Sequence, residues 1–226
     1  MALACARAHG HVCHAIIFDY GQRHRVEIGA AHRVAQSLGV PPDRRIVLAI
    51  GLSAMGGSAL TSGHIDVPKD RAAHDLGAGV PVTYVPARNL VFLSCAAAYG
   101  ETIDARDIYI GVNAVDYSGY PDCRAEFIAA FERAANLGTR AGTEGGAAFR
   151  VRTPLVRMSK AEIIREGASL GVDFALTHSC YDPVLREREG GAPEVLACGR
   201  CDSCQIRRRG FVDAGVPDPT RYAPRA

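Results

Sequence analysis

The stretch that most limits what this chain can fold into lies near its end. Cys198-Gly199-Arg200-Cys201-Asp202-Ser203-Cys204 contains two overlapping C-x2-C steps, and Cys180 stands upstream in His178-Ser179-Cys180-Tyr181. Such spacing places three sulfurs on one tight turn, where Gly199 can adopt a positive φ. The three are too close in sequence to pair conveniently as disulfides with one another. A fourth thiolate from Cys180 completes a tetrahedral set with no position left for water, the pattern of a structural zinc site. An iron–sulfur cluster is the second reading of the same spacing, but the fourth cysteine and proline of the ferredoxin run do not follow.

Length and composition set the frame around this site. The chain has 226 residues, enough for one large domain and an appendage. Apolar residues make up 48% and charged residues 22%, with a net charge of +2. That balance argues against a nucleic-acid coat or a membrane-surface protein. The opening stretch is broken by Arg7 and His9 and is too short for a membrane span. With no signal-peptide pattern ahead of its cysteines, the expected compartment is the cytoplasm.

From Ala2 onward the pattern alternates. Residues 2–9 read as an Ala-rich helix closing at Gly10, residues 12–18 as a strand, and residues 26–38 as a helix ended by Gly39. A strand follows at 45–50, then a long Gly/Ser-rich excursion to 79, an extended run at 80–85 and an apolar helix at about 90–103. Further strands are expected at 108–112 and 149–153, with helices at about 125–137 and 159–170. Ser159 and Glu162 have the spacing of a capping box at the start of the last helix. Alternating strands and helices imply an α/β fold, a parallel sheet with helices on both faces. The expected division is an α/β domain over 1–176 and a zinc-binding region over 177–226.

In an open α/β sheet ligands bind beyond the carboxyl ends of the strands. The loops expected there carry Asp19, Tyr20, Gln22, Arg23 and His24; Arg88 and Asn89; Asn113, Asp116, Tyr117, Tyr120 and Asp122; and Ser159 with Lys160. Tyrosine rings stack, carboxylates and amides address the edges of a heterocycle, and arginine and lysine neutralise phosphate. Ser159-Lys160 at a helix start suits phosphate for a further reason, since free N–H groups and the helix dipole point the same way. The competing expectations are plain ones: Ser159 as a helix cap, the aspartates as turn formers, Tyr117 and Tyr120 as packing residues. The five histidines before residue 33 and the run Arg207-Arg208-Arg209 are expected to be solvated surface.

Taken in order, FDYGQRH (18–24), GGSALT (56–61), VPVTYVPARN (80–89), GVNAVDYSGYPDCR (111–124), SKAEII (159–164), HSCY (178–181) and CGRCDSC (198–204) resemble the 7-cyano-7-deazaguanine synthases of the ATP-pyrophosphatase (PP-loop) group. The resemblance implies an adenine-nucleotide-hydrolase-like fold and an ATP-dependent ligase of the queuosine pathway. Such a ligase adenylates the carboxylate of 7-carboxy-7-deazaguanine, forms the amide with ammonia, and adenylates again to reach the nitrile. It implies magnesium with ATP, structural zinc on Cys180, Cys198, Cys201 and Cys204, and phosphate contacts from Arg88, Ser159 and Lys160. Asn113, Asp116, Tyr117, Tyr120 and Asp122 would line the deazaguanine pocket, and Asp19 to His24 would flank the nucleotide. The partners implied are small molecules, with no membrane and no direct nucleic acid; a homodimer is left open.

The sequence departs from that pattern twice. The family opens with a strand and a Ser-Gly-Gly-x-Asp-Ser phosphate loop, and here neither precedes the helix at residue 2. The expectation is a natural chain longer by that strand and loop, because a missing central strand leaves a sheet edge and one side of the core open. The segment between Cys180 and Cys198 also carries an insertion, Arg186-Glu187-Arg188-Glu189-Gly190-Gly191, which loop-closure entropy should tolerate. Two rivals follow: another PP-loop enzyme acting on a tRNA base, and a zinc-stapled purine-binding protein without catalysis.

Overall fold

The computed structural model describes residues 1–72, 79–113, 119–144, 148–188 and 190–224. Helix α1 (Ala2–Ala8) is followed by strand β1 (Ala15–Asp19), helix α2 (Val26–Ser37) and strand β2 (Arg45–Ala49). Strand β1 lies parallel to β2, from Ala15 opposite Arg45 to Asp19 opposite Ala49. The strand expected at 12–18 therefore starts three residues late. Its partner begins only after the Pro42–Arg44 turn, so Val12 is left exposed with nothing to pair against.

Helix α3 (Arg88–Thr102) leads to β3 (Asp107–Tyr109), and α4 (Ala125–Gly138) and the short α5 (Arg140–Thr143) lead to β4 (Arg150–Arg152). Strands β3 and β4 are parallel, but only three residues long. Pro154, two residues past β4, has no N–H to extend the ladder, so the strand expected at 108–112 ends early. Leu93 and Ala97 of α3 pack with Ile128 and Phe131 of α4 around Phe149 and Val151. Gly100 admits the Phe149 ring, since a Cβ there would come 2.9 Å from Cε1. Phe149 is 1% exposed, and truncating such a ring costs about 3–5 kcal/mol.

Among the described residues the two parallel pairs are separate two-stranded sheets, not one continuous sheet. Between them lies an apolar groove of about 470 Å³ lined by β1, α1, α3 and β3 side chains, including Ile16, Leu93 and Ile108. The run 80–85, expected to be extended, forms no strand. Pro81 and Pro86 bound it, and a turn closes from Tyr84 N–H to Pro81 O at 2.9 Å.

Helix α6 (Lys160–Ser169) begins with the expected capping box: Glu162 N–H reaches Ser159 Oγ, and Ser159 N–H reaches the Glu162 carboxylate at 2.7 Å. Past residue 176 come strands β5 (Val184–Arg188) and β6 (Gly191–Leu196), an antiparallel hairpin, and then helix α7 (Asp202–Ala214). The hairpin is where a plain loop insertion was expected. Its Glu194 is buried and faces Arg186, Arg188 and Arg221, so ion pairs staple the two strands together. No helix among the described residues is long and apolar enough to cross a membrane.

Candidate functional site

The four cysteines named from spacing converge. Cys180, Cys198, Cys201 and Cys204 are all buried, and their sulfurs lie within 4.8 Å of one another. Cys198 Sγ and Cys204 Sγ are 4.0 Å apart, far from disulfide length and near the roughly 3.8 Å edge of a tetrahedron with 2.3 Å metal–sulfur bonds. Gly199 takes φ +72°, which turns the chain so that Arg200 N–H and Cys201 N–H both point at Cys198 Sγ, at 3.5 and 3.3 Å. Cys198 N–H donates to Cys180 Sγ at 3.2 Å, joining the two parts of the set. Four thiols ringed by N–H donors fit a soft divalent metal.

Next to this cluster is a cavity of about 530 Å³. Three helices begin on it: α3 with Arg88 and Asn89, α6 with Lys160, and α7 with Asp202 and Ser203. Converging helix starts and three cationic side chains, Arg88, Lys160 and Arg207, make this wall attractive to anions. Arg88 is held in place by aromatic rings. Its Nη1 donates to Tyr20 Oη at 3.4 Å, and its guanidinium lies 5.7 Å from the centre of that ring. Burial opposes the Arg88 charge, yet the phenolic oxygens of Tyr20, Tyr181 and Tyr120 leave its pKa raised. Burial in turn pushes Tyr20 up to about 12. The residue ahead, Ala87, sits in the left-handed region at φ +55°, a strained entry into α3 beside the cavity.

The profile of the queuosine biosynthesis protein QueC family matches residues 1–215. The chain belongs to the QueC family. It is 57% identical over 222 residues to the 7-cyano-7-deazaguanine synthase of Solidesulfovibrio magneticus, covering 98% of this chain and 90% of that protein. Against the synthase of Methylococcus capsulatus the identity is 58% over 220 residues, with 97% and 92% covered. Against that of Myxococcus xanthus it is 56% over 222 residues, with 98% and 90% covered.

Within this QueC-family chain the residues named from sequence fall into three groups. Arg88, Lys160, Asn113 and Tyr120 line the cavity. Asn113 donates its amide to Leu155 O and Met158 O, which fixes the side chain against the loop before α6. Tyr120 Oη is 3.0 Å from Thr83 Oγ1. Asp116 and Tyr117 lie outside the described residues.

The second group is engaged in holding the walls. Asp122 is buried, and its carboxylate accepts the Asn89 N–H at 2.9 Å, so it secures the start of α3. The Ser159 hydroxyl is occupied with Glu162 in the capping box. Asp19 pairs with Arg25, and Arg23 donates to Ile65 O at 3.1 Å. Gln22 accepts Tyr20 N–H at 2.8 Å and donates to Glu27 at 2.9 Å. His24 is 3% exposed, with Nε2 3.2 Å from Glu27 Oε2. The expectation that the early histidines are all solvated fails there, because the turn after β1 folds His24 inward onto α2.

The third group had no role assigned by sequence. Arg207, expected on a solvated face, is buried. It donates to Thr177 Oγ1 at 2.8 Å, Phe174 O at 3.1 Å and Thr220 Oγ1 at 2.6 Å, and stacks 4.9 Å from the Phe211 ring. Arg208 lies 4.1 Å over Tyr222. The one sequence signal for either is the short distance of both arginines from Cys204 of the thiol cluster.

Proposed function

We infer that this chain carries the activity of its QueC-family relatives, the synthesis of 7-cyano-7-deazaguanine in queuosine biosynthesis. The observation that carries the reading is identity of 53–58% to such synthases over nearly the whole chain. The cavity beside the thiol cluster supports it, since it offers cations, helix starts, an amide and tyrosines within one enclosure.

In the proposed reaction the carboxylate of 7-carboxy-7-deazaguanine attacks the α-phosphate of ATP, giving the acyl-adenylate and pyrophosphate. Ammonia displaces AMP to form the amide. The amide oxygen then attacks the α-phosphate of a second ATP, releasing pyrophosphate, and loss of AMP and a proton leaves the nitrile. Arg88 and Lys160 would neutralise charge that develops on phosphate and carboxylate oxygens. Tyr120 and Asn113 would bound the heterocycle, and Asp116 and Tyr117 are assigned there by family resemblance alone. Ser159, through the cap, would keep Lys160 at the head of α6, and residues 19–24 would flank the nucleotide by way of Tyr20 and Arg88. Magnesium would accompany ATP.

The metal we assign to Cys180, Cys198, Cys201 and Cys204 is zinc, in a structural role, because a closed four-thiolate shell leaves no position for water. The free thiols among the eight cysteines suit the reducing cytoplasm. On this reading 1–176 is the nucleotide- and base-binding unit and 177–226 its zinc-bearing wall. The test is incubation of the full-length protein with 7-carboxy-7-deazaguanine, ATP, magnesium and ammonium, followed by mass spectrometry. Formation of the nitrile with two AMP per product is expected; binding without AMP release would overturn the ligase reading.

A further inference from the structure

One buried carboxylate oxygen beside the cavity has no hydrogen-bond partner among the described residues. Asp202, the first residue of α7, lies between two of the clustered cysteines and lines the cavity shared by Arg88, Asn113 and Lys160. Its side chain is 3% exposed. Arg71 Nη1 donates to Oδ2 at 2.9 Å, but Oδ1 is buried with no hydrogen bond among the described residues. A buried carboxylate oxygen without a donor is costly, and native proteins rarely leave one so unless a ligand or an ion completes it.

The chemistry of the missing partner follows from its surroundings. Oδ1 requires an N–H or O–H donor, and it stands in a wall otherwise provided with cations and helix starts that attract anions. A ligand that meets both demands has an anionic end and a donor edge. A 7-carboxylated deazaguanine has both, with its ring N1–H and exocyclic amine on one side and its carboxylate on the other. ATP also offers donors, its ribose hydroxyls and adenine amine, and an Asp202→Asn variant with unchanged base preference would leave those as the partner of Oδ1.

We propose that Asp202 is a specificity-determining residue whose Oδ1 accepts a hydrogen bond from the N1–H/2-amino edge of the deazaguanine substrate. The proposal rests on the synthase reading and adds the residue that tells a guanine-type base from one lacking the amine. The sequence had offered Asp116 and Asp122 for this edge. Asp122 is engaged with the Asn89 N–H, whereas Asp202 keeps an oxygen in reserve.

The test is calorimetric titration of the full-length protein with 7-carboxy-7-deazaguanine and with the same molecule lacking its exocyclic amine. Wild type should prefer the amine-bearing ligand by roughly 10- to 100-fold, the range for a hydrogen bond to a charged group. Asp202→Asn, nearly isosteric, should lower that ratio by about tenfold, and Asp202→Ala should abolish it, with one metal per chain retained as the check on folding. Arg71→Met removes the ion pair but keeps the carboxylate, so it should lower stability and leave the ratio unchanged. An unchanged ratio in Asp202→Asn, with wild type still converting substrate, overturns this proposal alone. Wild type that binds neither ligand overturns the synthase reading and this proposal with it.

Discussion

Gly210 on α7 touches Lys160 on α6 so closely that a Cβ on the glycine would stand 2.6 Å from Lys160 Cγ and 3.1 Å from Ile164 Cδ1. The absence of a side chain at Gly210 is what lets Lys160 keep its station at the cavity. Gly210→Ala should cost about 1–3 kcal/mol by overpacking. Thermal unfolding would register that at roughly 2–4 °C per kcal/mol for a chain of this size. Because the tightest contact is with Lys160 Cγ, an atom that Lys160→Ala removes, the cost should shrink in that background. A double-mutant cycle showing strict additivity would reject the contact as the cause.

The thiol cluster should behave as one unit. Cys198 receives N–H groups from Arg200 and Cys201 and its sulfur lies 4.0 Å from that of Cys204, so Cys198→Ser should abolish metal binding instead of weakening it. Metal analysis is expected to fall from one ion per chain to none. The free energy withdrawn is on the order of 10 kcal/mol, larger than the module's other stapling contacts can replace. Limited proteolysis should then cut within 177–226. A variant that keeps one metal per chain would contradict the four-thiolate assignment.

Asp122→Ala should act on Arg88 without touching it. The substitution leaves the buried Asn89 N–H without its acceptor, which costs about 1–3 kcal/mol. The first turn of α3 should open more often, visible as faster amide hydrogen exchange at Asn89 while the middle of the helix stays protected. Unchanged exchange there would mean that the Asp122 contact does not anchor the helix.

Acid should reach the end of the chain through Asp218. Burial raises its pKa, but the Thr220 and Tyr222 hydroxyls, the Thr220 N–H and Arg207 outweigh burial and leave it below its ordinary 3.8. A carboxyl with a lowered native pKa contributes stability that is fully present above 3.8 and is lost as pH falls through the native value. Asp218→Asn should therefore flatten the stability–pH curve below that point, and lower stability at neutral pH where the carboxylate is fully charged. Denaturant titrations from pH 2 to 7 give both quantities. Parallel wild-type and variant curves in the acid limb would exclude Asp218 as a source of the acid slope.

Much of the fold can be read from local signals. The helices at Ala2–Ala8, Val26–Ser37 and Lys160–Ser169 follow from apolar spacing, glycine stops and a written-out cap, and the four cysteines from spacing alone. What could not be read depended on distant partners. Strand β1 starts where β2 gives it a neighbour, and 80–85 turns because its prolines withhold donors, although its composition is that of a strand. The candidate site shows the same division. Arg88, Asn113, Tyr120 and Lys160 were visible as chemistry-bearing loop residues. Asp202 was hidden inside a metal motif, where the cysteines account for the pattern, and only the orphaned oxygen sets it apart.

Three consecutive residues, 69 to 71, each form an ion pair with the region around the thiol cluster. Lys69 pairs with Asp182 at 2.7 Å, Asp70 with Arg200 at 2.5 Å and Arg71 with Asp202 at 2.9 Å, and Lys69 bridges the backbone of Cys201. Every one of those partners lies within two residues of a clustered cysteine. A segment far earlier in the chain is thus buttoned, residue by residue, onto the frame that the thiols hold rigid. Loosening that frame would undo all three buttons together, so the thiol cluster sets the posture of a segment that supplies none of its sulfurs.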